Sequence, residues 1–263
     1  MNRGGLKAAS RQCLNDTHCD PRRLTLLFLL CFYGATIPCD MLSFFLEQSV
    51  NQVSGLGAMA TRNRYSLVTM LLFVGINVIW FLWNAGYTAF TLQLSRGGRA
   101  GFDDFFAGFR QVGRVLALTA MMIVYIWLWS ILFVIPGIIA AYSYRMAMYV
   151  LLDNPEVTAS EAIAISKRLT YGHRMEIFML DISFIWYHLL GAGANVTLTL
   201  FSYGLLPLQG WAGYLMAYGI SVLITCTLET LFRGYVQTTY AHAYNWLLSL
   251  DRARCEGMRY PNA

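Results

Sequence analysis

Six long apolar stretches constrain this chain more than any other feature of its sequence. They run at about 24–46, 67–94, 115–135, 138–152, 177–201 and 211–232, and the last continues as a predicted helix to about 248. A helix needs about 20 apolar residues to cross the hydrocarbon core of a bilayer. Charged residues make up 13% of the chain, against about 25% in a soluble domain, so much of the surface must face lipid. We therefore predict an all-α polytopic membrane helix bundle of about six transmembrane helices, in one domain over residues 1–263.

The boundary between the third and fourth stretches is the least obvious. Pro136-Gly137 interrupts an apolar run that extends from about 115 to 152. Proline can kink a helix as well as end one, which leaves a single kinked span as the alternative. A span of that length would need extreme tilt to fit one bilayer. A hairpin that turns at Pro136-Gly137 is therefore favoured.

Basic residues are distributed unevenly between the predicted loops, and they concentrate on the cytoplasmic side of membrane proteins. With six helices, only Arg62 and Arg64 fall on one side, while Arg145 and Arg233 lie within helices. The remaining basic residues share the other side: Arg3, Lys7, Arg11, Arg22, Arg23, Arg96, Arg99, Arg110, Arg114, Lys167, Arg168, Arg174, Arg252, Arg254 and Arg259. We predict a cell-membrane protein whose basic N-terminal segment, 1–23, and tail, 249–263, are both cytoplasmic. Five helices would lose this agreement.

Two predicted cytoplasmic loops have the pattern of interfacial amphipathic helices. In 101–114, phenylalanines recur at helical spacing among charged residues, which suits a helix in the headgroup region. In 157–173, Thr158 and Glu161 have capping-box spacing, and Gly172 suits the left-handed residue that stops a helix. We expect Ile163 of this second helix to lie deeper in lipid than the basic residues. Ordinary connecting loops are the alternative.

Several ionisable residues fall inside the predicted helices, where an unpaired charge is costly. Arg145 and Asp181 lie at similar depths, roughly 12 and 10 Å inside the cytoplasmic surface at about 1.5 Å per residue. We predict that they form an ion pair between helices four and five, with Glu229 as a rival partner for Arg145. Arg145 could instead extend to the headgroups, and Asp181 could be protonated. Glu229 and Arg233 are four residues apart and can pair along one helix face.

Polar stripes follow two of the predicted helices. Helix five carries Asp181, His188 and Asn195 at seven-residue spacing, and helix two carries Asn77, Asn84 and Thr91. One interpretation is a polar seam that lines a path for a substrate or a proton. The other is hydrogen bonding between packed helices, each bond contributing about 0.6 to 2 kcal/mol.

The stretch from 128 to 190 carries motifs that identify a family. They are the LW…PGIIAAYSY run, the DNP before the loop helix, the EAI..S..L..GH block and the F.L..SFI segment, with YVQTTYAHAY near the end. The chain resembles an uncharacterised bacterial integral membrane family, domain of unknown function 975. A looser likeness, based on the Pro-Gly break and on Ser166 and Gly172, extends to the membrane region of some glycerophosphodiester phosphodiesterases. Two positions depart from the family pattern. Gly234 stands where a proline is expected before Tyr235, and Tyr187-His188 replaces the simpler residues expected after Trp186. The resemblance implies the membrane topology and no activity.

Motifs of soluble-type active sites do not occur in the sequence. There is no GxSxG, no P-loop and no HExxH. The spacing of Cys13, Cys19 and His18 does not suit a zinc site. We expect no cofactor, no bound metal and no nucleic-acid partner. The partners we expect are the lipid bilayer and either another membrane protein or a second copy of the chain.

Small loops and amphipathic helices favour a non-enzymatic accessory or regulatory membrane module. The first alternative is a transporter or permease of a small molecule or lipid that uses the polar seams of helices two and five. A lipid-modifying enzyme is the second alternative.

Overall fold

The computed structural model describes residues 2–15, parts of 22–42, 56–98, 100–190, the positions 192 and 196, and 210–259. Every regular element within these ranges is helical, as predicted. The α-helices are α1 Arg3–Asn15, α2 Leu56–Ser95, α3 Ala107–Arg110, α4 Val112–Leu132, α5 Val134–Tyr144, α6 Ala147–Asp153, α7 Ala159–Thr170, α8 Arg174–Ile182, α9 Gly210–Leu228 and α10 Gly234–Arg259. A 3-10 turn, Phe102–Phe106, precedes α3, and a π-helical segment, Glu229–Arg233, joins α9 to α10.

Helices long and apolar enough to cross a membrane occur four times within the described ranges. They are Met70–Ser95, Val112–Leu132, Val134–Asp153 and Leu215–Glu256. These correspond to the second, third, fourth and sixth predicted spans. The first and fifth predicted spans, 24–46 and 177–201, lie only partly within the described residues. Six crossings therefore remains a prediction.

The hairpin predicted between the third and fourth spans turns earlier than expected. Phe133 takes an extended conformation between α4 and α5, three residues before Pro136. Pro136 lies in the first turn of α5, where the missing N–H has no partner within the helix in any case. A Cβ on Gly137 would lie 2.2 Å from Ser130 Oγ, so glycine lets the start of α5 approach the end of α4. The expected two separate helices are present, each long and apolar enough to cross a membrane, and the turn position at Pro136-Gly137 was wrong.

The first predicted interfacial helix, 101–114, is not one helix. The 3-10 turn and α3 occupy it, and α4 begins within it. Phe105 is buried, and its ring stacks on that of Phe90 of α2 at 4.7 Å between centroids. A Cβ on Gly86 would collide with the Phe105 carbonyl oxygen, so the segment lies directly on the backbone of α2. Contact with α2, which no local pattern reveals, determines its conformation.

The second predicted loop helix is present as α7. Thr158 caps it: the Glu161 N–H donates to Thr158 Oγ1, and Glu161 Oε2 accepts from the Thr158 N–H at 2.8 Å. Gly172 follows with a φ of +82°, as predicted. The expected lipid contact is wrong, however, because Ile163 is only 3% exposed and belongs to the protein core. The apolar face of α7 is covered by protein.

The main core lies where α4, α6, α7, α8 and α10 meet, and it includes Val115, Val150, Ile177 and Tyr244. By contrast, apolar side chains around the α4–α5 turn are widely exposed, as expected of a surface that faces lipid.

A polar contact ties the predicted cytoplasmic ends of α2 and α6 to the middle of α10. The Arg96 guanidinium donates to both Asp153 oxygens, at 2.6 and 2.9 Å, and Tyr244 Oη donates to Asp153 Oδ2 at 3.1 Å. A bidentate arginine–carboxylate pair is among the stronger polar contacts.

Candidate intramembrane cavity

A cavity of about 360 Å³ lies between α2, the helical residues 185–190 and the junction of α9 with α10. Its lining brings together five residues predicted from the sequence as polar network members: Asn84, Arg145, His188, Glu229 and Arg233. The polar stripes of the second and fifth predicted helices therefore converge here, at one residue of each stripe. The sequence could not show this, because the distances between helices depend on tertiary packing.

The π-helical segment supplies the most buried charge of the cavity. Arg233 is 4% exposed, and its Nη1 donates to Glu229 Oε2 at 2.7 Å, so the predicted pair is confirmed. Arg233 Nη2 donates to Asn84 Oδ1 on α2. The Arg233 Cζ atom also lies 5.0 Å from the ring centroid of Trp80 and 5.0 Å from that of Tyr87. Short π-helical segments are rare and frequently occur at functional sites.

Glu229 connects this pair to the fifth predicted helix. Its Oε1 atom accepts from Tyr187 Oη at 2.7 Å, while Oε2 accepts from Arg233. A continuous chain of hydrogen bonds therefore runs from Tyr187 through Glu229 and Arg233 to Asn84. Such a chain is stronger than isolated bonds because each member polarises the next in a low-dielectric interior. It fixes three helices relative to one another.

The second ion pair of the cavity is the one predicted between helices four and five. Arg145 Nη2 lies 3.4 Å from Asp181 Oδ1, so the predicted contact is confirmed. Arg145 also lies over the Tyr240 ring, with 4.6 Å from Cζ to the centroid. Its side chain is 42% exposed, and the contact is longer than the one between Glu229 and Arg233. Arg145 is thus the more accessible cation of the cavity.

Arg145 lies at the cavity where the helical run of α5 and α6 is interrupted. Arg145 and Met146 form a turn between α5 and α6. The carbonyl oxygen of Ser143 accepts from Ser166 Oγ at 2.8 Å and from Thr170 Oγ1 at 3.3 Å, both on α7. These hydroxyls satisfy a carbonyl at the end of α5, where orphan carbonyls need partners.

Aromatic and amide residues of the cavity wall were not predicted. Trp80, Tyr187, Gln237 and Tyr240 all line it. Tyr240 is 3% exposed, and within the described residues its hydroxyl has no hydrogen-bond partner. Tyr240 and Gln237 lie in the YVQTTYAHAY segment, which marked the family but gave no role. Aromatic residues in apolar helices are ambiguous from sequence, since most belong to cores or interface belts.

Other predicted members lie elsewhere. Asn77 Nδ2 donates to the Phe73 carbonyl in its own helix and does not line the cavity. Asp181 reaches it only through Arg145, and Asn195 lies outside the described residues. Within the described part of the chain, no group of three His, Cys, Asp or Glu residues is placed to hold a metal ion. The arrangement offers two paired arginines and, among the described residues, a phenol without a hydrogen-bond partner, which suits binding of a polar group.

Comparison with protein families gives a match. The profile of a family described as a protein of unknown function, DUF975, matches residues 117–251, about half of the chain. The match includes both ion pairs of the cavity and excludes Asn84 and Trp80. No curated protein and no solved structure matches the chain significantly.

Proposed function

This chain belongs to the DUF975 family, whose function is unknown, and we propose that it is a non-enzymatic accessory or regulatory module of a bacterial cell membrane. In this proposal the cavity lined by Asn84, Arg145 and Arg233, which we call the central cavity, is a recognition site for one small polar or amphipathic molecule. Its occupancy sets how α2 packs against the π-helical segment, since the two meet through Asn84 and Arg233.

The pairing of charges around the cavity carries this proposal. Arg233 is paired with Glu229, and Arg145 with Asp181. Both carboxylates already hold arginines of the protein in place, which favours a role in fixing the polar wall over a role in proton transfer. A wall of preorganised polar groups favours recognition, because little ordering is required when the ligand binds.

We also propose that the chain crosses the membrane six times with both termini in the cytoplasm. The distribution of basic residues supports this topology. The docking of α1 is compatible with it: Cys13 Sγ donates to the Leu94 carbonyl at 3.0 Å, at the end of α2 predicted to be cytoplasmic.

Native mass spectrometry of the protein in neutral detergent tests the recognition site. We expect the wild-type protein to retain one small molecule or lipid after delipidation. Arg145→Gln and Tyr240→Phe should lose it, because they remove the accessible cation and a hydroxyl that has no partner among the described residues. Thr227→Val is the control, since the Thr227 hydroxyl donates within its own helix, to the Leu223 carbonyl at 2.8 Å. Equal retention by all three variants would contradict the proposal.

A permease is the second candidate function, because the two polar stripes converge on one cavity. It differs from the module in requiring net movement of a solute. Uptake into proteoliposomes that depends on Arg145 would favour the permease, whereas a retained ligand without uptake would favour the module.

A further inference from the structure

A second cavity, of about 540 Å³, lies where the end of α7, the Gly172 turn, the start of α8 and the last turns of α10 meet. It shares no residue with the central cavity. Six of its lining residues matter here: Lys167, Arg168, Arg174, Arg254, Tyr171 and Asp251. We call it the basic pocket.

The basic pocket carries an excess of positive charge. Four of the six residues are cationic, and Asp251 alone is acidic. Asp251 Oδ2 accepts from Arg168 Nη2 at 2.9 Å, so Arg168 is neutralised. Lys167, Arg174 and Arg254 have no carboxylate partner within the described residues. The nearby Glu176 is 3.3 Å from His173 Nδ1, and Arg254 Nη2 lies 3.1 Å from His173 Nε2.

Arg174 carries a donor that has no acceptor among the described residues. Its Nε atom is buried and has no hydrogen-bond partner in the described part of the chain. A buried donor left unsatisfied is unfavourable by about 1–3 kcal/mol. Its Cζ atom lies 5.9 Å from the Tyr171 ring centroid, near the outer limit of a cation–π contact. A planar guanidinium with free donors matches the oxygens of a phosphate group.

The surroundings of the basic pocket resemble a membrane interface. Tyr171 and Met175 are among the most exposed large side chains of the protein, at 70% and 66%. Exposed tyrosines next to basic residues are common at the level of lipid headgroups. Arg174 begins α8, at the point where the chain is predicted to re-enter the membrane. Basic pockets between helices on the cytoplasmic side bind anionic headgroups.

We propose that the basic pocket binds a phosphate group, presented by an anionic phospholipid of the cytoplasmic leaflet. Lys167, Arg174 and Arg254 contact the phosphate oxygens, and Tyr171 lies beside the glycerol region. Phosphate recognition depends only on the three cations, whereas the lipid source also depends on the proposed topology.

Binding of short-chain probes to the purified full-length protein in neutral detergent tests the proposal. The probes are dihexanoyl phosphatidic acid, dihexanoyl glycerol, which lacks the phosphate, and inorganic phosphate. We expect phosphatidic acid to bind and dihexanoyl glycerol not to bind. Each cation removed should weaken binding about fivefold, from the effect of one basic residue near an anionic surface. Lys167→Gln/Arg174→Gln/Arg254→Gln should therefore bind on the order of 100-fold more weakly.

Arg252→Gln is the matched control for Arg254→Gln, because Arg252 is an exposed arginine two residues away on α10 that does not line the pocket. If the triple variant does not fold, two other measurements test the proposal. Arg254→Gln should bind phosphatidic acid more weakly than Arg252→Gln, and the wild-type protein should lose affinity at high salt. Equal binding by Arg254→Gln and Arg252→Gln, or equal binding of both lipids, would overturn the proposal. Inorganic phosphate that binds as tightly as phosphatidic acid would overturn the lipid source and leave a site for soluble phosphates.

Discussion

Replacing Glu229 with glutamine perturbs the most buried ion pair among the described residues. The Arg233 side chain is 5% exposed and the Glu229 side chain 22%, and they are 2.7 Å apart. Removing one partner of a buried pair destabilises a protein by about 3–5 kcal/mol, because a buried charge remains uncompensated. Glutamine can still accept one hydrogen bond from Arg233, so we expect the lower end, about 3 kcal/mol. That corresponds to a fall of roughly 6–12 °C in apparent Tm for a chain of this size.

Thermal unfolding in detergent, followed by the fraction of monodisperse protein, measures this effect. Thr227→Val, which removes a hydroxyl bonded within its own helix, is the control and should shift the apparent Tm by less than about 2 °C. Replacing both Glu229 and Arg233 with apolar residues should recover much of the loss, since neither charge is then left buried alone. Two outcomes would refute the inference that this pair organises the helix junction. One is a Glu229→Gln protein as stable as the wild type. The other is a double variant whose loss of stability equals the sum of the two single losses.

Three further predictions concern other contacts. Arg145→Met or Asp181→Leu alone should lower apparent Tm by only about 2–4 °C, because their pair is longer and Arg145 is 42% exposed, and the double replacement should restore the folded yield in detergent. Gly86→Ala should reduce the folded yield strongly, because its Cβ would lie 1.8 Å from the Phe105 carbonyl oxygen. Gly113→Ala is the control and should be neutral or stabilising, because its Cβ would meet nothing within 4 Å. Equal yields of the two variants would contradict the close packing. Hydrogen bonds from Thr158 hold the pKa of Glu161 below its ordinary value. The stabilisation of the protein by the ionised Glu161 side chain should therefore be complete above the ordinary pKa and be lost as pH falls through the lowered pKa. The difference in apparent Tm between wild type and Glu161→Gln should shrink on acidification.

Local features of the structure follow from the sequence in several places. The Thr158–Glu161 cap and the Gly172 stop depend on residues a few positions apart, so spacing is sufficient to predict them. Glu229 and Arg233 are also neighbours along one helix. The Arg145–Asp181 contact is less local, but its two helices are consecutive and their charges lie at similar depths.

Other features depend on contacts between distant segments, which composition and periodicity do not report. The burial of Phe105 depends on close backbone approach to Gly86 of α2. The turn at Phe133 places Gly137 against Ser130, a packing contact that local propensity does not specify. The face of α7 around Ile163 was expected in lipid, because an amphipathic pattern does not distinguish lipid from protein as the apolar neighbour. Tyr187 and Tyr240 lie at the cavity only because α10 passes the fifth predicted helix and the turn at Arg145.

Labelling of single cysteines from the two sides of the membrane tests the central claim most directly, since the placement of the cavity within the bilayer and of the basic pocket at the cytoplasmic face both depend on six crossings. The experiment uses a chain whose six native cysteines are replaced, with one cysteine at position 62 or at position 252. A membrane-impermeant thiol reagent applied to intact cells should label position 62 alone, and position 252 should react only after the membrane is opened. Labelling of both positions from the same side would contradict the account.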